Sequence, residues 1–299
     1  MSLTLDFRPN AVHTALYAAE GSGAFDANRI EMGIRQPGSS SDSAKLLASG
    51  RTDLAIMDIA DLALARSKGA PLIAIGEIVR KPLAAVIIGP GETGRPRDDL
   101  SGATVGVTGV PSDDLVLETV LRAQGLTPSE VRRVSVGYGA IGALSAGRLD
   151  AATSFWNSEG VELRRAGVPT IELRVDRFGA PVYPQLLLVA REDDLRADPE
   201  LACSVLSGLA AGNRLTLSQP DRALSFLLDS NPALDRDAQD AELRALLDAS
   251  AIPRSGRPDR QAVTGWIEWA AAGGLLDSDP QDLTRGMLGA APPTCPQSP

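Results

Sequence analysis

Few side chains in this sequence of 299 residues could carry out chemistry, and that shortage limits what the protein can do. There is one histidine, His13, so a metal site with several histidine ligands is excluded. Of the two cysteines, Cys203 lies in an apolar helical run and Cys295 in a proline-rich tail, and we expect neither activation nor pairing. No Gly-x-Ser-x-Gly nucleophile motif occurs. We therefore expect no nucleophilic catalysis, no metal and no cofactor.

One aromatic and polar cluster stands out, because the chain has only 3 Trp, 3 Tyr and 5 Phe. The cluster, Phe155-Trp156-Asn157-Ser158-Glu159, follows a predicted strand. Side chains alternate along a strand, so Phe155 and Trp156 should point to opposite sides, one into the core and one towards a ligand. A tryptophan, an amide and a carboxylate could stack on a flat heteroaromatic ring and accept from its amino group. The alternative is that Trp156 packs between two lobes and that Glu159 caps a helix.

Two glycine-bearing loops, residues 37–42 and 106–114, each join a predicted strand to a helix. Such loops can hold an anion on backbone N–H groups, but neither carries a Gly-Lys-Ser/Thr phosphate motif. Asp42, Asp113 and Asp114 stand at the helix starts, where they already occupy the positive ends and would repel a phosphate. These loops favour a neutral or cationic small molecule.

Asn10 and His13 lie just beyond the first predicted strand, at the start of a helix. This is a ligand-facing position in an α/β protein. Asn10 could instead only cap the helix, and His13 could be a structural residue. Both interpretations stay open at this stage.

Ten short apolar strands alternate with helical stretches up to about residue 193, which predicts a parallel α/β architecture. Helices then follow to about Leu276. The predicted strands are Leu3–Phe7, Ile30–Arg35, Leu54–Asp58, Leu72–Ile78, Ala84–Ile88, Ala103–Thr108, Val131–Val136, Ala151–Phe155, Ile171–Val175 and Gln185–Ala190.

An internal repeat indicates the domain organisation: the segment Leu47–Ala55 recurs as Leu144–Ala152. In both copies a helix ends at a glycine, Gly50 or Gly147, before an Arg-x-Asp turn and a buried strand. The repeat predicts two α/β lobes of the same topology, with chance similarity of two common helix–turn–strand units as the alternative.

Lobe 1 is predicted to comprise residues 1–84 and 186–299, with 277–299 as a flexible tail, and lobe 2 to comprise residues 85–185. Ligands bind at the carboxyl ends of the strands in open α/β sheets. Two lobes with facing strand ends would form a ligand cleft that closes by a hinge motion. Tyr183 falls at the predicted second crossover.

Charge and composition exclude several other classes of protein. Lys+Arg 29 against Asp+Glu 38 gives a net charge of −9, the wrong sign for a nucleic-acid-binding protein. Hydrophobic residues make up 43% and charged residues 22%, as in globular domains. No apolar run approaches the roughly 18 residues of a membrane span.

The sequence over residues 3–191 resembles the periplasmic solute-binding proteins related to thiamine-pyrimidine synthase, which include formylaminopyrimidine-binding components of ABC importers. The resemblance implies the type II periplasmic-binding fold, with two α/β lobes, a ligand cleft and a helical C-terminal region. The segments that carry it are Leu5-Asp-Phe-x-Pro9-Asn10-x-x-His13, Pro37-Gly38-x-x-Ser41-Asp42, Ala48-Ser-Gly50-Arg-x-Asp53, Leu100-Ser-Gly102-x-x-Val105-Gly106-Val, Phe155-x-Asn157-x-Glu159 and Gly179-x-Pro181-x-Tyr183.

The sequence departs from this family at several positions. Phe7 stands where tryptophan is common, Ser39-Ser40 where an Asp-Pro pair is common, and Gln185 where glutamate is common. In the synthase branch a lysine and a histidine stand at the positions of Met57 and Asp61, and a cysteine-rich run is present. The lack of this lysine, this histidine and the cysteine-rich run argues against pyridoxal-phosphate chemistry, so the resemblance implies a binding protein and not an enzyme.

The resemblance implies an extracytoplasmic or periplasmic solute-binding protein that delivers a pyrimidine precursor of thiamine to an ABC permease. The chain passes from Met1-Ser2-Leu3 straight into a strand, so we expect that a signal peptide has been removed. Alternatives are a synthase-like enzyme acting on such a pyrimidine, a sensor domain, or a binder of riboflavin or an alkylsulfonate.

Within this hypothesis Trp156 and Tyr183 are expected to clamp the ring, and Glu159, Asn10 and His13 to fix its polar edge. The full set of candidate ligand-binding residues is Asn10, His13, Ser39, Ser40, Met57, Asp58, Thr108, Pro111, Trp156, Asn157, Glu159 and Tyr183.

Overall fold

All ten segments predicted as strands form strands in the computed structural model, which describes residues 1–38, 42–91, 94–254 and 256–289 and the side chains of all of these except Tyr138. The strands are β1 (Ser2–Thr4), β2 (Gly33–Arg35), β3 (Leu54–Asp58), β4 (Leu72–Val79), β5 (Ala84–Ile88), β6 (Thr104–Val107), β7 (Arg132–Ser135), β8 (Ala151–Phe155), β9 (Ile171–Arg174) and β10 (Leu186–Arg191).

The strands belong to two structural units, each with its own five-stranded sheet. Unit 1 has the strand order β2-β1-β3-β10-β4, and unit 2 has the order β7-β6-β8-β5-β9. Unit 1 is formed by Met1–Lys81, Tyr183–Glu268 and Leu276–Pro299, and unit 2 by Pro82–Val182 and Trp269–Leu275.

One segment, the end of a helix and the turn after it, belongs to a different unit from the one predicted. Residues Trp269–Leu275, expected within lobe 1, group with unit 2. There Gly273 contacts Leu115 so closely that an added Cβ would lie 2.2 Å from the leucine Cδ1. A glycine at this position therefore lets the segment pack against unit 2.

The sheets are mixed, which corrects the prediction of a parallel architecture. Strand β1 pairs in parallel with β2 and β3, but β10 is antiparallel to both β3 and β4. In unit 2, β6 pairs in parallel with β7 and β8, whereas β5 is antiparallel to β8 and β9. The antiparallel strand of each sheet is the one that the chain enters on passing from the other unit, so its direction is not set by a local β-α-β connection.

The predicted repeat has a common structural basis in the aspartate that ends each Gly-Arg-x-Asp turn. Asp53 Oδ2 accepts a hydrogen bond of 2.7 Å from the backbone N–H of Ser2, the first residue of β1. Asp150 Oδ2 accepts one of 2.7 Å from the backbone N–H of Thr104, the first residue of β6. Each aspartate thereby joins the strand that it precedes to the parallel strand beside it.

Helices cover the sheets and account for much of the later chain. They are α1 (Thr14–Gly21), α2 (Asp42–Ala48), α3 (Ile59–Ser67), α4 (Asp113–Ala123), α5 (Ala140–Ser145), α6 (Glu159–Arg165), α7 (Glu192–Ala197), α8 (Leu201–Ser218), α9 (Pro220–Ser230), α10 (Arg236–Asp248), α11 (Arg260–Ala272) and α12 (Pro280–Leu288). Helix α12 lies where a flexible tail was expected, and Asp279 caps it by accepting from two backbone N–H groups. Among the described residues, no helix combines the length and apolar character needed to cross a membrane.

Cys203 on α8 also differs from expectation. We expected an unpaired small apolar side chain, but Cys203 takes part in a disulfide bond. The chain has one other cysteine, Cys295, which lies outside the described residues.

The turn aspartates generate a prediction about stability. We expect Asp53→Ala and Asp150→Ala each to lower the free energy of unfolding by about 1–3 kcal/mol, because each leaves a backbone N–H at a strand start without its acceptor. Equilibrium unfolding in urea would measure the loss. Arg51→Ala and Arg148→Ala are the matched controls, since these exposed arginines stand two residues earlier in the same motif. If the arginine variants lose as much stability as the aspartate variants, the aspartates have no special role in joining the strands.

Candidate functional site

Three carboxylates gather at the carboxyl end of the unit 1 sheet. Asp6 follows β1, Asp58 ends β3, and these two strands are parallel neighbours, so both carboxylates come to one edge. Asp61 lies in the first turn of α3, which starts directly after Asp58. We call Asp6, Asp58 and Asp61 the acidic edge.

Asp58 is the most constrained member of the acidic edge. Its Oδ1 caps α3 by accepting a 2.8 Å hydrogen bond from the backbone N–H of Ala60. Its Oδ2 accepts from the Nε2 of Gln185 at 2.6 Å. Gln185 is buried immediately before β10, so the antiparallel strand supplies the partner.

Two members of the acidic edge, Asp58 and Asp61, have raised pKa values. Burial raises the pKa of Asp58 to about 7, and the charges of Asp61 and Asp6 act in the same direction against the hydrogen bonds from Ala60 and Gln185. Burial and the charge of Asp6 raise the pKa of Asp61 to about 6. Carboxylates that repel one another in this way favour a ligand that brings N–H donors or positive charge.

His13 and Asn10 are engaged with their own segment. The backbone N–H of Asn10 donates to His13 Nδ1 at 3.2 Å, so the ring proton lies on Nε2, which donates to Asp6 Oδ1 at 2.8 Å. Asn10 Oδ1 accepts from the N–H of Val12, and its Nδ2 donates to the carbonyl of Arg8. The structure thus gives both residues a capping role, and His13 also positions Asp6.

The other unit 1 candidates occupy different surroundings. Met57 is buried in β3 opposite Leu187 of β10, as a core residue. The ring of Tyr183 is also buried, with its centroid 6.1 Å from that of Trp266. Ser39 and Ser40 lie outside the described residues.

In unit 2, Asp113 organises the loop between β6 and α4. Its Oδ2 accepts from the Thr108 hydroxyl and from the N–H groups of Gly109 and Val110, and its Oδ1 accepts from the Thr153 hydroxyl. Thr108 is therefore tied to this carboxylate, while Pro111 is exposed on the loop. As the sequence predicts, an aspartate occupies the helix start. Its carboxylate accepts hydrogen bonds from the loop that precedes the helix.

The end of β8 resolves which aromatic residue is buried. Phe155 is 38% exposed and Trp156 is 1% exposed. The indole N–H of Trp156 donates to the carbonyl of Pro82 at 2.9 Å, and the guanidinium carbon of Arg174 lies 3.9 Å from its ring centroid. Trp156 is therefore packed within unit 2.

Polar groups without partners remain at this strand end. Asn157 is 2% exposed, and its Oδ1 has no hydrogen-bond partner among the described residues; the same is true of the Ser154 hydroxyl. Glu159 Oε2 accepts from the backbone N–H of Phe155 at 3.0 Å. Burial raises the pKa of Glu159, although hydrogen bonds from its own backbone and that of Phe155 oppose the shift.

The candidate set leaves out four residues that the structure places beside its members, Asp6, Asp61, Ser154 and Phe155, although alternation offered Phe155 as one of two rings that could face a ligand. Asp6 could have been found, because it follows the first strand as Asp58 follows the third. The exposure of Phe155 had no sequence signal, since alternation separates it from Trp156 without saying which is buried. Among the described residues no three His, Cys, Asp or Glu side chains are placed to hold a metal ion.

Two mixed α/β units, with polar groups gathered at the carboxyl ends of their parallel strands, define the class: the fold is that of the periplasmic binding proteins. The chain matches the periplasmic aliphatic sulphonate-binding protein SsuA of Escherichia coli with a TM-score of 0.73 at 15% identity, over 92% of this chain and 90% of the other. The family model described as NMT1/THI5 like matches residues 10–223, so the chain belongs to that family.

Two curated relatives extend this comparison. The chain is 29% identical over 284 residues to the formylaminopyrimidine-binding protein of Halalkalibacterium halodurans, covering 93% of this chain and 86% of the relative. It is 24% identical over 237 residues to a 4-amino-5-hydroxymethyl-2-methylpyrimidine phosphate synthase of Legionella pneumophila, covering 78% and 74%. The predicted fold class and family are confirmed, while one relative is named as a binder and the other as an enzyme.

The acidic edge generates a prediction of pH dependence. An unfolded aspartate has a pKa of about 3.9, so between about pH 4 and 7 the folded state holds more protons than the unfolded state. In the folded state the pKa of Asp58 is raised to about 7, so its contribution to the free energy of unfolding falls as pH rises through that window. Asp58→Asn keeps a capping oxygen and removes the charge, so we expect it to flatten the fall. Unfolding in urea at a series of pH values would measure the change.

Asp248→Asn is the control for this experiment, because Asp248 is an exposed carboxylate at the end of α10. It should leave the pH profile unchanged. A profile for Asp58→Asn that still falls as steeply as that of the wild type would show that ionisation of Asp58 does not oppose folding.

Proposed function

We propose that this protein is an extracytoplasmic solute-binding protein that binds a small heteroaromatic solute of the pyrimidine type and delivers it to an ABC permease. Support comes from the family, from the curated relative named as a formylaminopyrimidine-binding protein and from the fold shared with a periplasmic binding protein. The disulfide bond at Cys203 agrees with an oxidising compartment.

The observation that carries the proposal is the unpartnered oxygen of Asn157. A buried amide oxygen without a hydrogen bond costs free energy, and few native groups are left in that state. A ligand N–H would satisfy it, and the exposed ring of Phe155 on the same strand end offers a face for stacking. An aminopyrimidine supplies both an N–H donor and a flat ring.

The acidic edge of unit 1 supports the same class of ligand. Asp6 and Asp61 offer carboxylate oxygens, and the pKa values of Asp58 and Asp61 are raised by burial and by the neighbouring carboxylates. The amidine-like edge of an aminopyrimidine, with an exocyclic amino group beside a ring nitrogen that can take a proton, is a suitable partner for a carboxylate. An anionic ligand would be repelled there.

We propose that Phe155, rather than Trp156, provides the ring contact to the solute. The indole N–H of Trp156 already donates to the carbonyl of Pro82, and the guanidinium of Arg174 lies over its ring. Removing Trp156 should therefore reduce stability, whereas Phe155→Ala should reduce affinity.

The function can be tested by calorimetric titration of the purified protein with formylaminopyrimidine and with 4-amino-5-hydroxymethyl-2-methylpyrimidine. We expect saturable binding of at least one of them and recovery of the unchanged compound. Riboflavin and an alkylsulfonate serve as comparison ligands. Binding of either comparison ligand alone would contradict the ligand class, and conversion of a bound pyrimidine would favour the enzyme.

The site can be tested separately with Asn157→Leu. We expect affinity for the pyrimidine to fall about tenfold or more, because the ligand loses a buried acceptor. Stability should hold or rise, because an unpartnered polar group has been removed. Both properties are measurable, by calorimetric titration and by unfolding in urea.

Asn213→Leu is a close control. Asn213 lies on α8 in unit 1, is 1% exposed and has neither polar side-chain atom partnered among the described residues. Its substitution should change stability in the same way and leave affinity as it was. Equal loss of affinity in both variants would assign the effect to the scaffold and not to a contact with the ligand.

A further inference from the structure

A basic concavity lies on unit 2, apart from the residues proposed to bind the solute. It has a volume of about 480 Å³, and Arg164, Arg174 and Arg177 line it together with Glu172 and Thr170. We call this group the arginine bowl. None of Phe155, Asn157 or Glu159 lines it.

Three neighbouring elements bring the arginines together. Arg164 is in the last turn of α6, Arg174 ends β9, and Arg177 ends the short 3-10 turn Val175–Arg177 that follows. The turn after α6 is made by Gly167 at φ +69°, a conformation that side chains rarely adopt. The bowl is thus built at the point where α6 turns back into β9.

Packing and ion pairing position two of the three guanidinium groups. Arg174 lies over the ring of Trp156, with 3.9 Å between its guanidinium carbon and the ring centroid. Glu172 reaches both, with its Oε1 against Arg164 Nη1 and its Oε2 3.6 Å from Arg174 Nε. Gly160 of α6 makes room for this carboxylate, since an added Cβ would lie 2.6 Å from Glu172 Oε1.

The charges of the bowl do not balance. Three arginines face one lining carboxylate, although the whole chain has a net charge of −9. Burial lowers the pKa of Arg174, and the charge of Arg177 adds to this effect while Asp176 opposes it. Burial lowers the pKa of Arg164 as well, with Arg174 adding to it. Arg177 is exposed and, within the described residues, makes no ion pair, so its guanidinium is accessible to a ligand in the bowl.

We propose that the arginine bowl is a second binding site, which takes a phosphate group, either free or as the head group of a phospholipid. A guanidinium presents its N–H donors in a planar fork that matches two phosphate oxygens, and several forks can share one tetrahedral oxyanion. The guanidinium of Arg177 is not ion-paired within the described residues, Arg164 is paired with Glu172, and Thr170 also lines the bowl.

Calorimetric titration of the full chain with inorganic phosphate at low ionic strength tests the free ligand. We expect saturable binding that weakens about tenfold or more in Arg177→Gln and in Arg164→Gln, because each removes charge-assisted hydrogen bonds. Arg177→Lys keeps the charge without the fork and should fall between Arg177→Gln and the wild type. Arg174 is left intact because it packs on Trp156.

Arg122→Gln removes one exposed positive charge from α4 elsewhere in unit 2 and is the matched control. Co-sedimentation with phosphatidylcholine vesicles, with and without phosphatidylglycerol, tests the head group. Binding to the anionic vesicles that is lost in Arg177→Gln supports a lipid source, and phosphate binding lost in the same variant supports a free one. Absence of both, or equal weakening by Arg122→Gln, overturns the proposal.

Discussion

The hydrogen bond between a turn aspartate and the first N–H of the neighbouring strand sets the geometry on which both units depend. Asp53 holds the start of β1 beside β3, and Asp150 holds the start of β6 beside β8. When two parallel strands begin level, their far ends also finish close together. Asp6 and Asp58 therefore reach one edge of unit 1, as Thr108 and Phe155 reach one edge of unit 2.

The polar residues at these strand ends are of two kinds: some have their hydrogen bonds made within the protein, and others have buried atoms that could bond to a ligand. His13, Asn10 and Thr108 are candidate ligand contacts in the sequence, yet their polar groups are bonded to nearby backbone or side chains. Asn157 and Ser154 retain atoms with no partner among the described residues. Since a polar group is removed from water only when something replaces the water, the second set points to a ligand more strongly than residue type alone.

The sequence was sufficient to predict the elements and insufficient to predict several of their relations. The bounds of β3, β5 and β8 match the prediction, because a short apolar run between turn residues is a local signal. The directions of β5 and β10 depend on partners far along the chain, so a local pattern could not give them. The same applies to the site: alternation places Phe155 and Trp156 on opposite sides, but it does not say that Trp156 is the one buried, against the distant residues Pro82 and Arg174.

The placement of β10 also affects how the protein can fold. This strand lies between β3 and β4, and its preceding residue Gln185 bonds to Asp58 across 127 positions of the chain. During synthesis β3 and β4 therefore cannot complete their pairing until β10 has been made, after most of unit 2. Such non-local pairing slows folding and leaves apolar strand edges uncovered meanwhile. Residues 1–81 thus supply four of the five strands of this sheet, and the sheet stays incomplete until residues 186–191 are added.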